Sequence, residues 1–137
     1  MISREEIKLT PDSTILSEAS VGPSVLLAED DPALKRYLEI VLRRAGYIVL
    51  SAADGLEAMK FLLTVGVDLI VTDAVMPNLN GYELCRFVRS SERLAGLPIV
   101  LLTALDAQNA DAELADVFLS KPVSPEQLLE SLAELVR

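Results

Sequence analysis

From Ser24 onward the sequence predicts an α/β domain, a doubly wound sheet of five parallel strands flanked by helices. Two patterns carry that reading. Short apolar runs alternate with amphipathic stretches, as βαβ units require. The runs are also continuous rather than alternating, as in Leu69-Ile70-Val71, which is how a strand covered on both faces reads. A third observation sets the size: 137 residues, 51% apolar and 24% charged, suit one domain. Folding at this length removes about 68 to 70% of the chain's surface from water, enough for one well-filled core.

Residues 1–23 hold no sustained period. Ile2, Ile7, Leu9, Ile15 and Leu16 are scattered among Pro11, Gly22 and Pro23, which predicts a tail or linker ahead of a domain over 24–137. Val25–Ala28 is the first strand. Asp31 can then cap a helix with Pro32 at its first position; Leu34, Leu38, Val41 and Leu42 form its stripe and Gly46 stops it. Tyr47–Leu50 reads as the second strand, Leu56–Thr64 as the second helix, and Val67–Thr72 as the third strand, running into Asp73. After the loop Met76–Gly81 comes a helix with Leu84, Phe87 and Val88 on one side. Pro98–Thr103 is the fourth strand and Val117–Leu119 a short fifth, with a small, alanine-rich helix between them over Asp106–Ala115. The last helix opens on Ser124-Pro125-Glu126 and gathers Leu128, Leu129, Leu132 and Leu135.

Charge and composition exclude several functions. Lys plus Arg number 12 against 21 Asp plus Glu, a net charge of −9 that opposes direct binding to nucleic acid and favours a metal ion or a cationic protein surface. There is no histidine, so an internal histidine base, a histidine metal ligand and a phosphohistidine are all excluded. Cys85 is the only cysteine, and Arg4, Glu5 and Glu6 stand where a signal peptide would be apolar; both predict a cytoplasmic protein. No apolar run approaches the ~20 residues of a membrane helix, so no membrane span is expected.

In an open parallel sheet, ligands gather outside the carboxyl ends of the strands where strand order reverses. The first strand delivers Glu29, Asp30 and Asp31 there, the third Asp73, the fourth Thr103 and Ala104, the fifth Ser120, Lys121 and Pro122. Carboxylates within ~5 Å repel by ~3 kcal/mol per pair at an effective dielectric near 20, a cost that a hard divalent cation offsets. Oxygen-only ligands favour Mg²⁺, which leaves coordination positions for phosphate oxygens. Lys121 adds a positive charge and Thr103 a hydroxyl donor for a phosphoryl group between them, and an aspartate in that company can be the nucleophile that keeps it as a mixed anhydride. Asp31, ahead of Pro32, reads as a helix cap instead.

The strings Val25-Leu26-Leu27-Ala28-Glu29-Asp30-Asp31-Pro32, Asp73-Ala74-Val75-Met76-Pro77-Asn78-Leu79-Asn80-Gly81, Thr103-Ala104 and Lys121-Pro122 together resemble the receiver domain of two-component response regulators, over Ser24 to Arg137. The resemblance implies the flavodoxin-like receiver fold and a phosphoacceptor at Asp73. It implies Mg²⁺ held by Asp30, Asp73 and the Val75 backbone carbonyl, with Glu29 assisting through a water. Thr103, Ala104 and Lys121 would bind the phosphoryl oxygens, and Thr103 and Phe118 would move as a switch. The phosphoryl donor would be the phosphohistidine of a sensor histidine kinase or a histidine phosphotransfer protein. The chain would be a phosphoacceptor assisting its own phosphorylation and dephosphorylation rather than an enzyme. Pairing with a second copy is left open. The Lys121-Pro122 bond is cis in many relatives.

The chain departs from that family in one place. The stretch from Thr103 to Lys121 is about one helical turn short, and the Gly-Ala expected before the fifth strand is replaced by Leu114-Ala115-Asp116. A short or irregular fourth helix is therefore expected. Val75 and Leu105 are apolar where polar side chains could position an attacking water, which predicts slow self-dephosphorylation. The main alternative is a receiver-like docking module whose output does not depend on phosphorylation. An aspartyl phosphatase would need Asp-x-Asp after the first strand and a cap over the site. A flavin-nucleotide binder would not build its phosphate loop from three acids.

Overall fold

The computed structural model describes residues 22–104 and 113–136. Five parallel strands form one sheet: β1 (Ser24–Ala28), β2 (Ile48–Ala52), β3 (Leu69–Asp73), β4 (Ile99–Thr103) and β5 (Val117–Ser120), in the order β2-β1-β3-β4-β5. The helices are α1 (Pro32–Arg44), α2 (Gly55–Thr64), α3 (Gly81–Ser90) and α4 (Pro125–Leu135). This is the flavodoxin-like order, and strand order reverses between β1 and β3.

Alternation along each strand explains why the apolar runs are continuous. Leu26, Ile70 and Leu101 join α2 and α3 through Leu62, Leu84 and Val88. Their chain neighbours Val25, Leu27, Val71, Val100 and Leu102 face α1 and α4 through Leu38, Leu42, Leu128 and Leu132. Each fully buried leucine contributes about 1.5–3 kcal/mol, and successive strand residues make that contribution on opposite faces.

Helix entries reflect local chemistry. Asp31 accepts from the N–H groups of Ala33 and Leu34 with Pro32 at the first position. Ser124 accepts from Gln127. Asn80 and Glu83 form a reciprocal capping box on α3, signalled in the sequence by the Asn and Glu three residues apart.

The second strand starts one residue later and ends two residues later than Tyr47–Leu50. The Tyr47 N–H turns back to the Leu42 carbonyl at 3.1 Å, and parallel pairing carries the strand on to Ser51 and Ala52, opposite Leu27 and Ala28. The third strand starts at Leu69, not Val67, and includes Asp73, which pairs with Leu102. Most of the helix predicted over Asp106–Ala115 lies outside the described residues. Arg89 ties together the chain before β4 and before β5: its guanidinium donates to the carbonyls of Leu114 (2.8 Å), Ala95 (2.8 Å) and Leu97 (2.6 Å) and to Asp116 Oδ2 (2.8 Å).

Candidate functional site at the carboxyl edge of the sheet

β1 and β3 are the central pair on either side of the switch point, so the residues that end them emerge side by side. Carboxylate oxygens of Glu29, Asp30 and Asp73 lie within 4.8 Å of one another. Glu29 is fully buried, Asp73 is 5% exposed, and Asp30 is open to solvent. Lys121 comes directly after the edge strand β5 and reaches past the end of β4, its Nζ 3.2 Å from Glu29 Oε1 and 3.1 Å from Asp73 Oδ2. Its backbone N–H bonds the Thr103 carbonyl at 2.9 Å, and the Lys121-Pro122 peptide is cis.

Thr103 ends β4 and is buried, while Ala104 beyond it is exposed. Val75, two residues past Asp73, turns its side chain to solvent. Phe118 lies on the edge strand β5 opposite Leu101 and is 40% exposed. Asp31 is turned away into the cap of α1, as the sequence indicates. Cys85 is buried within α3.

The electrostatics are those of a site under-supplied with positive charge. Burial raises the Glu29 carboxyl above its ordinary range and nearby Asp73 raises it further, against the Asp31 N–H (3.1 Å) and Lys121, which lower it. Partial burial disfavours the Lys121 ammonium, but its hydrogen bond to Asp73 and its attraction to Asp73 and Glu29 outweigh that, and its pKa is raised. One ammonium serves two buried acids. Glu29 Oε1 is a buried oxygen that accepts no hydrogen bond of acceptable geometry even with Lys121 beside it. A buried acceptor left so is costly. An oxygen-only donor set with an orphaned buried oxygen and an open carboxylate fits a hard divalent cation.

The loop that leaves Asp73 is built by close approach. A Cβ on Gly81 would stand 2.1 Å from the Asp73 carbonyl oxygen, so only glycine lets α3 begin there, and the Gly81 N–H closes the loop on the Ala74 carbonyl at 2.9 Å. Gly55 meets the same limit: its Cβ would fall 1.9 Å from the Leu79 carbonyl oxygen. Beside it, Asn78 Nδ2 donates to Asp54 Oδ2 at 2.7 Å. Sequence reasoning missed Asp54 and Asn78. The Asp-Gly pair ahead of α2 is a visible signal for a cap, but nothing local announces its partner.

A doubly wound parallel domain with an acidic pocket and a lysine at its switch point belongs to a class that handles phosphate and metal at the carboxyl edge of the sheet. Residues 25–133 match the response regulator receiver domain, and the chain belongs to that family. It is 38% identical over 121 residues to the transcriptional regulatory protein GltR of Pseudomonas aeruginosa, covering 85% of this chain and 50% of that protein. The chain spans about half the length of the curated relatives it matches.

Among solved structures it is similar to the receiver domain of the sensor histidine kinase PA1611 from Pseudomonas aeruginosa PAO1, which has a magnesium ion coordinated in the active site cleft. That match has 32% identity and a TM-score of 0.76, with 85% of this chain and 98% of that one covered. It is also similar to the response regulator TrrA of Thermotoga maritima in complex with Mg²⁺-BeF, at 27% identity and a TM-score of 0.77, covering 82% of this chain and 98% of that one. The chain is thus a receiver domain of the two-component response regulator type, a family of phosphoacceptors that bind Mg²⁺ in an acidic pocket and take phosphoryl groups from histidine kinases. Among the described residues, no helix is long and apolar enough to cross a membrane.

Proposed function

We propose that Asp73 is the phosphoacceptor of this chain and that Glu29, Asp30, Asp73 and the Val75 carbonyl hold the Mg²⁺ it needs. The observation that carries this reading is the buried Asp73 carboxylate, which shares a 4.8 Å cluster with two other acids and lies 3.1 Å from Lys121 Nζ. When bound, Mg²⁺ supplies the positive charge that lets an anionic phosphoryl group approach three carboxylates.

The chain's own groups do the rest. An Asp73 carboxylate oxygen forms a bond to phosphorus as the phosphorus–nitrogen bond of a partner phosphohistidine breaks, and the nitrogen leaves with the electron pair. Lys121, Thr103 and the Ala104 N–H take the phosphoryl oxygens, so the ammonium that now bridges Glu29 and Asp73 changes partners. Phosphorylation replaces one negative charge by about two and adds three acceptor oxygens, which draws Thr103 and Lys121 inward and biases exposed Phe118. The donor is a sensor histidine kinase or a histidine phosphotransfer protein, since the chain has no histidine.

Incubation with acetyl phosphate tests the reading. Phosphoryl incorporation that is labile to alkali and hydroxylamine is expected with Mg²⁺, and none is expected with chelator or in Asp73→Asn. Equal labelling of Asp73→Asn would overturn it, and no labelling of the native chain would turn the reading to a docking module.

A further inference from the structure

The loop from Ala74 to Asn80 carries the Val75 carbonyl that the proposed site uses, and it is fastened in three ways. Its ends close through the Gly81 N–H on the Ala74 carbonyl, at 2.9 Å. Its middle is anchored by Met76, which is buried in the α2–α3 side of the core. Its outer turn is held by Asn78, the only non-glycine residue among the described ones with a positive φ, at 70°. Left-handed backbone costs about 1–2 kcal/mol for an ordinary L-residue and persists where surroundings over-determine it.

Here the determinant is Asp54. Its two carboxylate oxygens divide their work: Oδ1 accepts the Glu57 N–H at 2.8 Å and caps α2, while Oδ2 accepts from Asn78 Nδ2 at 2.7 Å. Gly55, pressed against the Leu79 carbonyl, holds the two corners in register.

We infer that Asp54 and Asn78 form a positioning pair for the cation site, fixing the loop between them so that the Val75 carbonyl stands at the distance a small ion requires. The inference rests on the proposed Mg²⁺ site. Neither residue touches the ion; each acts through the loop. The geometry makes a distinctive demand, because Mg²⁺ needs near-ideal octahedral ligands at about 2.0–2.1 Å whereas Ca²⁺ accepts irregular shells at about 2.3–2.6 Å. Loosening this loop therefore costs Mg²⁺ affinity more than Ca²⁺ affinity, which loss of general stability would not do.

Calorimetric titration of the whole chain with MgCl₂ and with CaCl₂, in about 0.15 M KCl to screen distant charge, tests this. Asn78→Gly keeps the backbone angle and the net charge while removing the donor, and its Mg²⁺ Kd should rise about three- to tenfold, the worth of one hydrogen bond, with a smaller change for Ca²⁺. Asp54→Ser keeps a cap for α2 and should lose the same Mg²⁺ preference. The exchanged pair Asp54→Asn with Asn78→Asp restores donor, acceptor and net charge, and should return the Mg²⁺ Kd to within about twofold of the native chain. An unchanged Mg²⁺ to Ca²⁺ ratio in both single variants, or no recovery in the exchanged pair, would overturn the positioning role while leaving the site standing. If the native chain takes up no Mg²⁺, the site itself fails and the pair with it.

Discussion

The molecule carries a charged cluster at each end of its sheet, and the two are built on opposite terms. At the amino edge, Arg89 and Asp116 pair at 2.8 Å with their hydrogen-bonding capacity committed: Arg89 also serves three backbone carbonyls, and Asp116 Oδ2 also takes the Ile99 N–H at 2.8 Å. At the carboxyl edge, one lysine is divided between two buried acids, a third acid stands in solvent, and a buried Glu29 oxygen accepts no hydrogen bond. A saturated pair is a fastening. An unsaturated one is a place where something else binds, and the excess is negative.

Removing the cation from each cluster should therefore give opposite results. Arg89→Met leaves carbonyls and Asp116 without their donor and should cost about 3 kcal/mol of stability, read from urea midpoints, with Mg²⁺ affinity unchanged. Lys121→Met, measured in Mg²⁺ buffer, should move stability by less than about 1 kcal/mol but slow phosphoryl uptake from acetyl phosphate by about 10²-fold, as loss of one charge-stabilising donor does. Equal stability losses in the two variants would remove the contrast.

A smaller effect sharpens the same point through pH. Burial and Asp73 hold the folded Glu29 carboxyl above its ordinary value of 4.5, so the folded, metal-free chain binds a proton that the unfolded chain releases. That carboxyl's contribution to stability rises as pH falls through the folded pKa, and the gain is complete below about 4.5. Glu29→Gln should flatten this slope when urea midpoints are compared in chelator between about pH 4 and 8; matching profiles would contradict it.

The smallest effect concerns persistence. Val75 is 69% exposed beside the site, so Val75→Asn would set a polar group where it can hold an attacking water and should shorten the phosphoryl lifetime several-fold, by about 1 kcal/mol or less of barrier. An unchanged decay rate would show that Val75 is not what limits self-dephosphorylation. Leu105, the other apolar residue expected to slow it, lies outside the described residues.

The carboxyl edge was far more legible in the sequence than the amino edge. Glu29, Asp30, Asp73 and Lys121 each come at or just past the end of an apolar strand, so reading strand ends was enough to bring them together. Arg89 and Asp116 are 27 residues apart and sit at a helix end and before a strand, where no short motif marks them. Asp54 and Asn78, 24 residues apart, are hidden for the same reason. Strand boundaries were misjudged where tertiary pairing overrode local preference: aromatic Tyr47 looked like strand, and Ser51 and Ala52 did not, yet register with Leu27 and Ala28 decided otherwise. The α1 and α4 entries are legible because a cap and a proline at the first helical position are local.

Borohydride reduction of the acetyl-phosphate-treated chain followed by peptide mapping asks where the phosphoryl group lands. The unsaturated cluster predicts a single modified aspartate, Asp73, dependent on Mg²⁺. Modification at Asp30, Asp54 or Asp116, or at several acids at once, would contradict it.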